Sequence, residues 1–157
     1  MLHTPVYDTK ARAFCGPTAI AAVTGTPISK VHKMVRRLRA DKEREWRGRV
    51  LNGGRVKDLL GRRMPVKGMH NRELVEIMRR LGFKVKHARW PVPGRRTETL
   101  QAFCEDRGHM GPFIVNVTGH YVAVSHGMIC DTLKRTPVPF AEYPKLRSRV
   151  KAFWQFA

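Results

Sequence analysis

Acidic residues are scarce in this chain: Asp and Glu number 12 against 31 Lys and Arg in 157 residues, which leaves a formal charge of +19. A surface with so few acids is drawn to nucleic acid, anionic lipid or acidic polymers. Cysteine is scarcer still. Cys15, Cys104 and Cys130 are an odd set without CxxC spacing, which argues against a disulfide framework and against a zinc knuckle. No HxxxH pair suggests a metal, and no cofactor is implied. Long apolar runs are missing, and the opening MLHTPVYDTK lacks the apolar stretch of a signal peptide, so a cytoplasmic protein without a transmembrane segment is expected. Low-complexity linkers and internal repeats are also lacking, and a hydrophobic share of 42% at this length fits one folded domain over residues 1–157.

The patterning gives helices first and strands later. GPTAIAAVT, from Gly16 to Thr24, is small and apolar and suits a buried helix, with Pro17 in its first turn and Gly25 as its stop. A second helix is predicted over 26–40, capped by Thr26 or Ser29, with Ile28, Val31, Val35 and Leu38 as its apolar stripe and a basic opposite face. The glycine-rich segment from Arg47 to Met69 reads as loop with short helical pieces. A third helix begins near Asn71 as cap and buries Leu74, Ile77, Met78 and Leu81 before Gly82. Phe83, Val85 and His87 then alternate as on a strand. A fourth helix, capped by Thr97 or Thr99, packs through Leu100, Phe103 and Cys104. PFIVNV, HYVAV and MIC follow as short strands joined by the turns TG and SHG, and the C-terminal alternation around Val150, Phe153 and Phe156 reads as an edge strand. The fold class is α+β, with N-terminal helices packed on a C-terminal antiparallel sheet.

Cys15 stands directly before Gly16-Pro17, at a helix entrance. A thiol attacks as thiolate, and the N–H groups and positive dipole of a helix N-terminus favour that form and can also hold an oxyanion. Gly16 in this setting suggests close approach of a substrate. A cysteine nucleophile needs a base, and the base an orienting partner. His120 opens a strand just after a turn, and Asp131 closes the next strand. In an antiparallel hairpin those two positions lie side by side.

The segments FCGPTAIAAVTG, LGFKVKHARW, GPFIVNVTGHYVAV and ICDT together resemble the papain-like cysteine peptidases, most closely the branch that processes double-glycine bacteriocin leaders, over roughly residues 8–132. The resemblance implies a papain-like fold in which Cys15 is the nucleophile, His120 the general base and acid, and Asp131 the residue that orients the imidazole. It implies a peptide or protein substrate, cleaved at a peptide, isopeptide or related amide bond through a thioester on Cys15. Deamidation and acyl transfer use the same intermediate and stay open. That branch carries a glutamine six positions before the cysteine, where its side chain helps form the oxyanion hole; here the position is Thr9, a shorter donor. Losing one such donor costs about 10²–10³ in rate. Compact chains rich in Arg and Lys are also similar in style to small phage-encoded peptidase-like proteins.

The charge supports a second expectation. From Lys30 to Lys67 fourteen cations face four acids, and Lys30, Lys33, Arg36, Arg37, Arg39, Arg47 and Arg49 are candidates for contact with nucleic acid or another polyanion, with Trp46 and Trp90 as stacking partners. On this reading the chain is a weakened peptidase-like fold used for binding, or a virion or assembly protein that holds packaged nucleic acid.

Overall fold

The computed structural model describes residues 1–50 and 68–157. Among these residues four helices, α1 (Cys15–Thr24), α2 (Ile28–Val50), α3 (Asn71–Arg80) and α4 (Leu100–Arg107), accompany six strands: β1 (Val85–Arg89), β2 (Phe113–Val117), β3 (His120–Ser125), β4 (Met128–Cys130), β5 (Val138–Pro139) and β6 (Val150–Phe156). The strands form one antiparallel sheet in the order β1-β6-β2-β3-β4-β5, so the class is α+β.

Each face of the sheet carries its own apolar cluster. On one, Ile114, Tyr121, Ala123, Trp154 and Phe156 meet Ile20, Val31, Val35, Leu74 and Ile77 from α1, α2 and α3. On the other, Phe113, Val115, Val122 and Val124 meet Leu100 and Phe103 from α4 and Tyr143 from the segment before β6. Each fully buried large aliphatic side chain contributes about 1.5–3 kcal/mol. α1 is the central helix, buried from Gly16 to Val23, and its small residues let it sit directly on the sheet; Gly25, at φ 68°, ends it by returning its N–H to the Ala21 carbonyl.

Several local expectations are corrected. α2 does not stop near Ala40 but continues to Val50, because Ala40 to Arg47 contains no Gly or Pro and is rich in helix formers, and the single Gly48 near its end does not break it. Neither Thr26 nor Ser29 caps it through its own side chain. Asp8 does so from the N-terminal segment, accepting the Ser29 N–H at 2.9 Å and its hydroxyl at 2.5 Å. The cap residue of α3 is His70, whose N–H donates to Glu73 at 3.0 Å. The alternation expected from Phe83 becomes β1 two residues later. Thr99 is the cap of α4, its hydroxyl accepting the Ala102 N–H at 3.2 Å. The loop expected over 47–69 lies largely outside the described residues, and residues 47–50 are helical.

β6 is not an edge strand but is inserted between β1 and β2. Its helix-facing residues are Ala152, Trp154 and Phe156. A register shift sets Val150 opposite Val117 and Ala152 opposite Asn116, so Lys151 is the extra residue and Val150 joins the α4-side cluster.

Candidate active site

Two tight turns fix one wall of the site. Val117 pairs with His120 across Thr118-Gly119, and Ser125 pairs with Met128 across His126-Gly127. All four turn residues have positive φ, 47° and 77° in the first turn and 50° and 77° in the second, which marks two-residue turns whose twist matches that of the strands. His120 is thereby held at the first position of β3. Ala123 pairs with Cys130, and continuing that register sets Asp131 across from Val122. His120 and Asp131 are therefore diagonal neighbours on one face rather than directly opposite, and the side chains span the offset. His120 Nε2 lies 2.7 Å from Asp131 Oδ2.

Asp131 is fully buried, and four donors converge on it. The Leu133 and Lys134 N–H groups donate to Oδ1 at 2.9 and 2.7 Å, while the Tyr143 hydroxyl, at 2.7 Å, shares Oδ2 with His120. A buried carboxylate is costly unless its lone pairs are satisfied, and here both oxygens are. Burial raises its pKa, but hydrogen bonds from His120, the Lys134 backbone and Tyr143 outweigh this and keep it below the ordinary value.

With Nε2 turned to Asp131, the imidazole presents Nδ1 to the other wall, where Cys15 occupies the first position of α1. The Cys15 sulfur is half-buried, which raises its pKa. Hydrogen bonding from His120 and from the backbone N–H groups of Tyr121 and Gly16, together with the His120 charge, outweighs burial and lowers it below the usual thiol value. Hydrogen bonds to Asp131 and Cys15, against desolvation, push His120 up to about 9. Both shifts act in the same sense, toward the thiolate–imidazolium form of the pair. Cys104 and Cys130 stand in contrast: both are buried away from such donors, and burial pushes each thiol up to about 12.

The structure thus brings Cys15, His120 and Asp131 together. Thr9 Oγ1 accepts the Ala11 N–H, at 3.2 Å, within the bend that leads toward Phe14, and its O–H is still a donor. Asp8 is held at the start of α2 instead. Gly16 makes room for a neighbour and not for a substrate: a Cβ added there would fall 2.6 Å from Met69 Sδ. Phe14, the residue before α1, offers no side-chain cap; Pro17 has no N–H and the Thr18 N–H bonds the Phe14 carbonyl at 3.1 Å, so the first-turn N–H groups that face the site are those of Cys15 and Gly16.

Two residues that sequence reasoning missed support the site. Tyr143 closes over Asp131 from the segment before β6. Asn71 lies behind Tyr121: its Oδ1 accepts the Tyr121 hydroxyl at 2.5 Å and Asn116 Nδ2 at 3.0 Å, and Asn116 Oδ1 in turn accepts the Gly119 N–H at 3.3 Å. The hairpin that carries His120 is thereby tied to α3. The polar residues Asn71 and Asn116, one at a helix start and one within a strand, were the available signal.

The basic candidates divide. Lys30, Lys33 and Arg37 are exposed on α2, and Arg36 is half-buried beside His32. Arg39 is engaged internally. Its guanidinium donates to both oxygens of buried Glu73, at 2.9 and 3.0 Å, and to the Gly68 carbonyl, so it is a structural cation and not a free contact. The side chains of Trp46, Arg47 and Arg49 lie outside the described residues. Trp90 is partly exposed and rests edge-on against Trp154, with ring centroids 5.2 Å apart. Among the described residues no group of three or more His, Cys, Asp and Glu side chains could hold a metal ion, and no helix is long and apolar enough to cross a membrane.

No protein-family model, curated protein or solved structure matches the chain.

Proposed function

We propose that the chain is a papain-like thiol hydrolase acting on a peptide, isopeptide or related amide bond. The observation that carries this reading is the placement of His120 between Cys15 and a buried, fully hydrogen-bonded Asp131. The order of the three in the chain and the position of the cysteine at the first turn of a helix packed on an antiparallel sheet support it. In the proposed reaction the Cys15 thiolate adds to the carbonyl carbon, and the oxyanion meets first-turn N–H groups of α1. His120 gives its proton to the leaving amine as the C–N bond breaks, which leaves a thioester on Cys15 and a neutral imidazole. Water then adds with His120 as base, and the acid product and thiolate are released. Asp131 keeps the imidazole turned and favours its charged form.

The test is digestion of a diverse peptide pool read by mass spectrometry, with wild type, Cys15→Ala and His120→Ala. New termini formed by wild type and lost in both variants, with circular dichroism unchanged, support the proposal. Termini that persist in Cys15→Ala contradict it.

A second reading is favoured by the exposed Lys30, Lys33 and Arg37 on α2 and by the overall charge of +19. It holds that this surface binds nucleic acid or another polyanion independently of Cys15. Binding to a labelled oligonucleotide should then weaken steeply with salt and survive Cys15→Ala. Salt-insensitive or absent binding contradicts it.

A further inference from the structure

Asp131 Oδ2 accepts two hydrogen bonds of equal length, one from His120 and one from Tyr143. A shared oxygen divides its negative charge between its donors, so each weakens the other's hold. We infer that Tyr143 is a positioning residue for the proposed Cys15–His120 pair: it fixes the Asp131 carboxylate and moderates the basicity of the imidazole. The inference rests on the thiol-hydrolase reading and adds a regulator of the same site.

Three observations support it. The Tyr143 ring is buried on the α4 side of the sheet, in the cluster with Phe103, Val122 and Ile129, so its hydroxyl is held by packing and not by chance. Asp131 Oδ1 is occupied by the Leu133 and Lys134 N–H groups, so the carboxylate cannot turn to give each side-chain donor its own oxygen. Tyr143 is also reached from a different part of the chain. It follows the one-turn 3-10 helix Phe140–Glu142, beyond β5, and the Phe140 N–H returns to the Gly127 carbonyl in the turn between β3 and β4. The segment that precedes β6 therefore connects the far side of the β3–β4 hairpin to the carboxylate that orients His120.

Among the described residues the charged and titratable groups facing this unit from the packed elements are Cys15 from α1, His120 from β3, Cys130 from β4, Asp131 after it, and Tyr7 and Arg135, stacked cation over ring at 5.2 Å, from the N-terminal segment and the loop after β4. Among the described residues Tyr143 is the other donor to the oxygen that His120 uses. Loss of its hydroxyl leaves Oδ2 to His120 alone, which strengthens that hydrogen bond and raises the imidazole pKa further.

The test uses Tyr143→Phe, which removes only the hydroxyl. The ring signals of His120 are titrated by NMR in wild type, Tyr143→Phe and Asp131→Asn, and Cys15 alkylation by iodoacetamide is followed across pH in the same proteins. The expected result is an upward shift of the His120 midpoint by about 0.5–1 unit in Tyr143→Phe, a downward shift in Asp131→Asn, and a basic limb of turnover that moves up with the midpoint. An unchanged or lowered midpoint in Tyr143→Phe overturns the inference. If wild-type His120 titrates as a free imidazole and Cys15 alkylates as a free thiol, the thiol-hydrolase reading itself fails. Should Tyr143→Phe lose its fold, Tyr143→3-fluorotyrosine replaces it: its more acidic hydroxyl donates more strongly to Oδ2, so a lowered His120 midpoint supports the inference and an unchanged or raised one overturns it.

Discussion

The two walls of the candidate site are built to different standards. On the His120 wall, two positive-φ turns, a diagonal strand register and four donors on one buried carboxylate determine where the imidazole sits. On the Cys15 wall there is a bare helix start: no side-chain cap, a glycine whose space is taken by Met69, and a threonine whose oxygen accepts the Ala11 N–H. The difference teaches that the acid–base half of the chemistry is preorganised, whereas oxyanion stabilisation rests on backbone N–H groups. On the proposed thiol-hydrolase reading, such a site would favour the thiolate and complete acyl transfer slowly.

The largest effects come from breaking the stronger wall. His120→Ala removes the hydrogen bond and the charge that lower the Cys15 pKa while burial still raises it, so alkylation at pH 6 should slow by about tenfold or more, as measured by mass of the intact chain. Asp131→Asn keeps the size but removes the charge, and turnover should fall by about 10²–10⁴ while Cys15 remains alkylatable at high pH. The pH profile sharpens the same contrast. Because the thiol pKa is lowered and the imidazole is raised to about 9, turnover should rise along an acid limb below the ordinary thiol value and fall along a basic limb near 9, where His120 loses the proton it must donate. A basic limb near 6.5 would mean that Asp131 does not support the imidazolium.

A change away from both walls separates structure from chemistry. Arg39→Ala leaves Glu73 buried without its guanidinium and should cost about 1–3 kcal/mol in denaturant unfolding, with Cys15 alkylation unchanged. Glu73 has a lowered pKa, since hydrogen bonds from Arg39 and the His70 backbone outweigh its burial. Its contribution is therefore present above the ordinary glutamate range and is lost as pH falls through the depressed folded value, so the gap between wild type and Arg39→Ala should narrow in acid. The smallest effect tests the weaker wall. Thr9→Ala should change turnover by less than about threefold if backbone N–H groups alone hold the oxyanion; a loss of 10² or more would place the Thr9 O–H there as well.

What was legible in the sequence follows the same division. Cys15 could be read because Gly-Pro after it announces a helix start, and His120 and Asp131 because two-residue turns leave little freedom in the register of a hairpin. Tyr143 could not be read, since its contact with Asp131 depends on how a proline-broken segment returns to the sheet. The interior position of β6 was hidden for a related reason: alternation shows that a strand has two faces but not whether both of its edges are paired. The Lys151 bulge also places Val150 on the face opposite the one that simple alternation gives. Arg39 looked like one more cation in a basic run, and only its partner 34 residues away distinguishes it.

The most direct measurement is the rate of Cys15 alkylation from pH 4 to 10 in wild type and His120→Ala, with the modified residue located by mass spectrometry. Selective reaction at Cys15 with a midpoint well below that of a free thiol, lost in His120→Ala, is the predicted result. An ordinary thiol midpoint that is the same in both proteins would contradict a working thiolate–imidazolium pair and leave the basic surface of α2 as the feature to pursue.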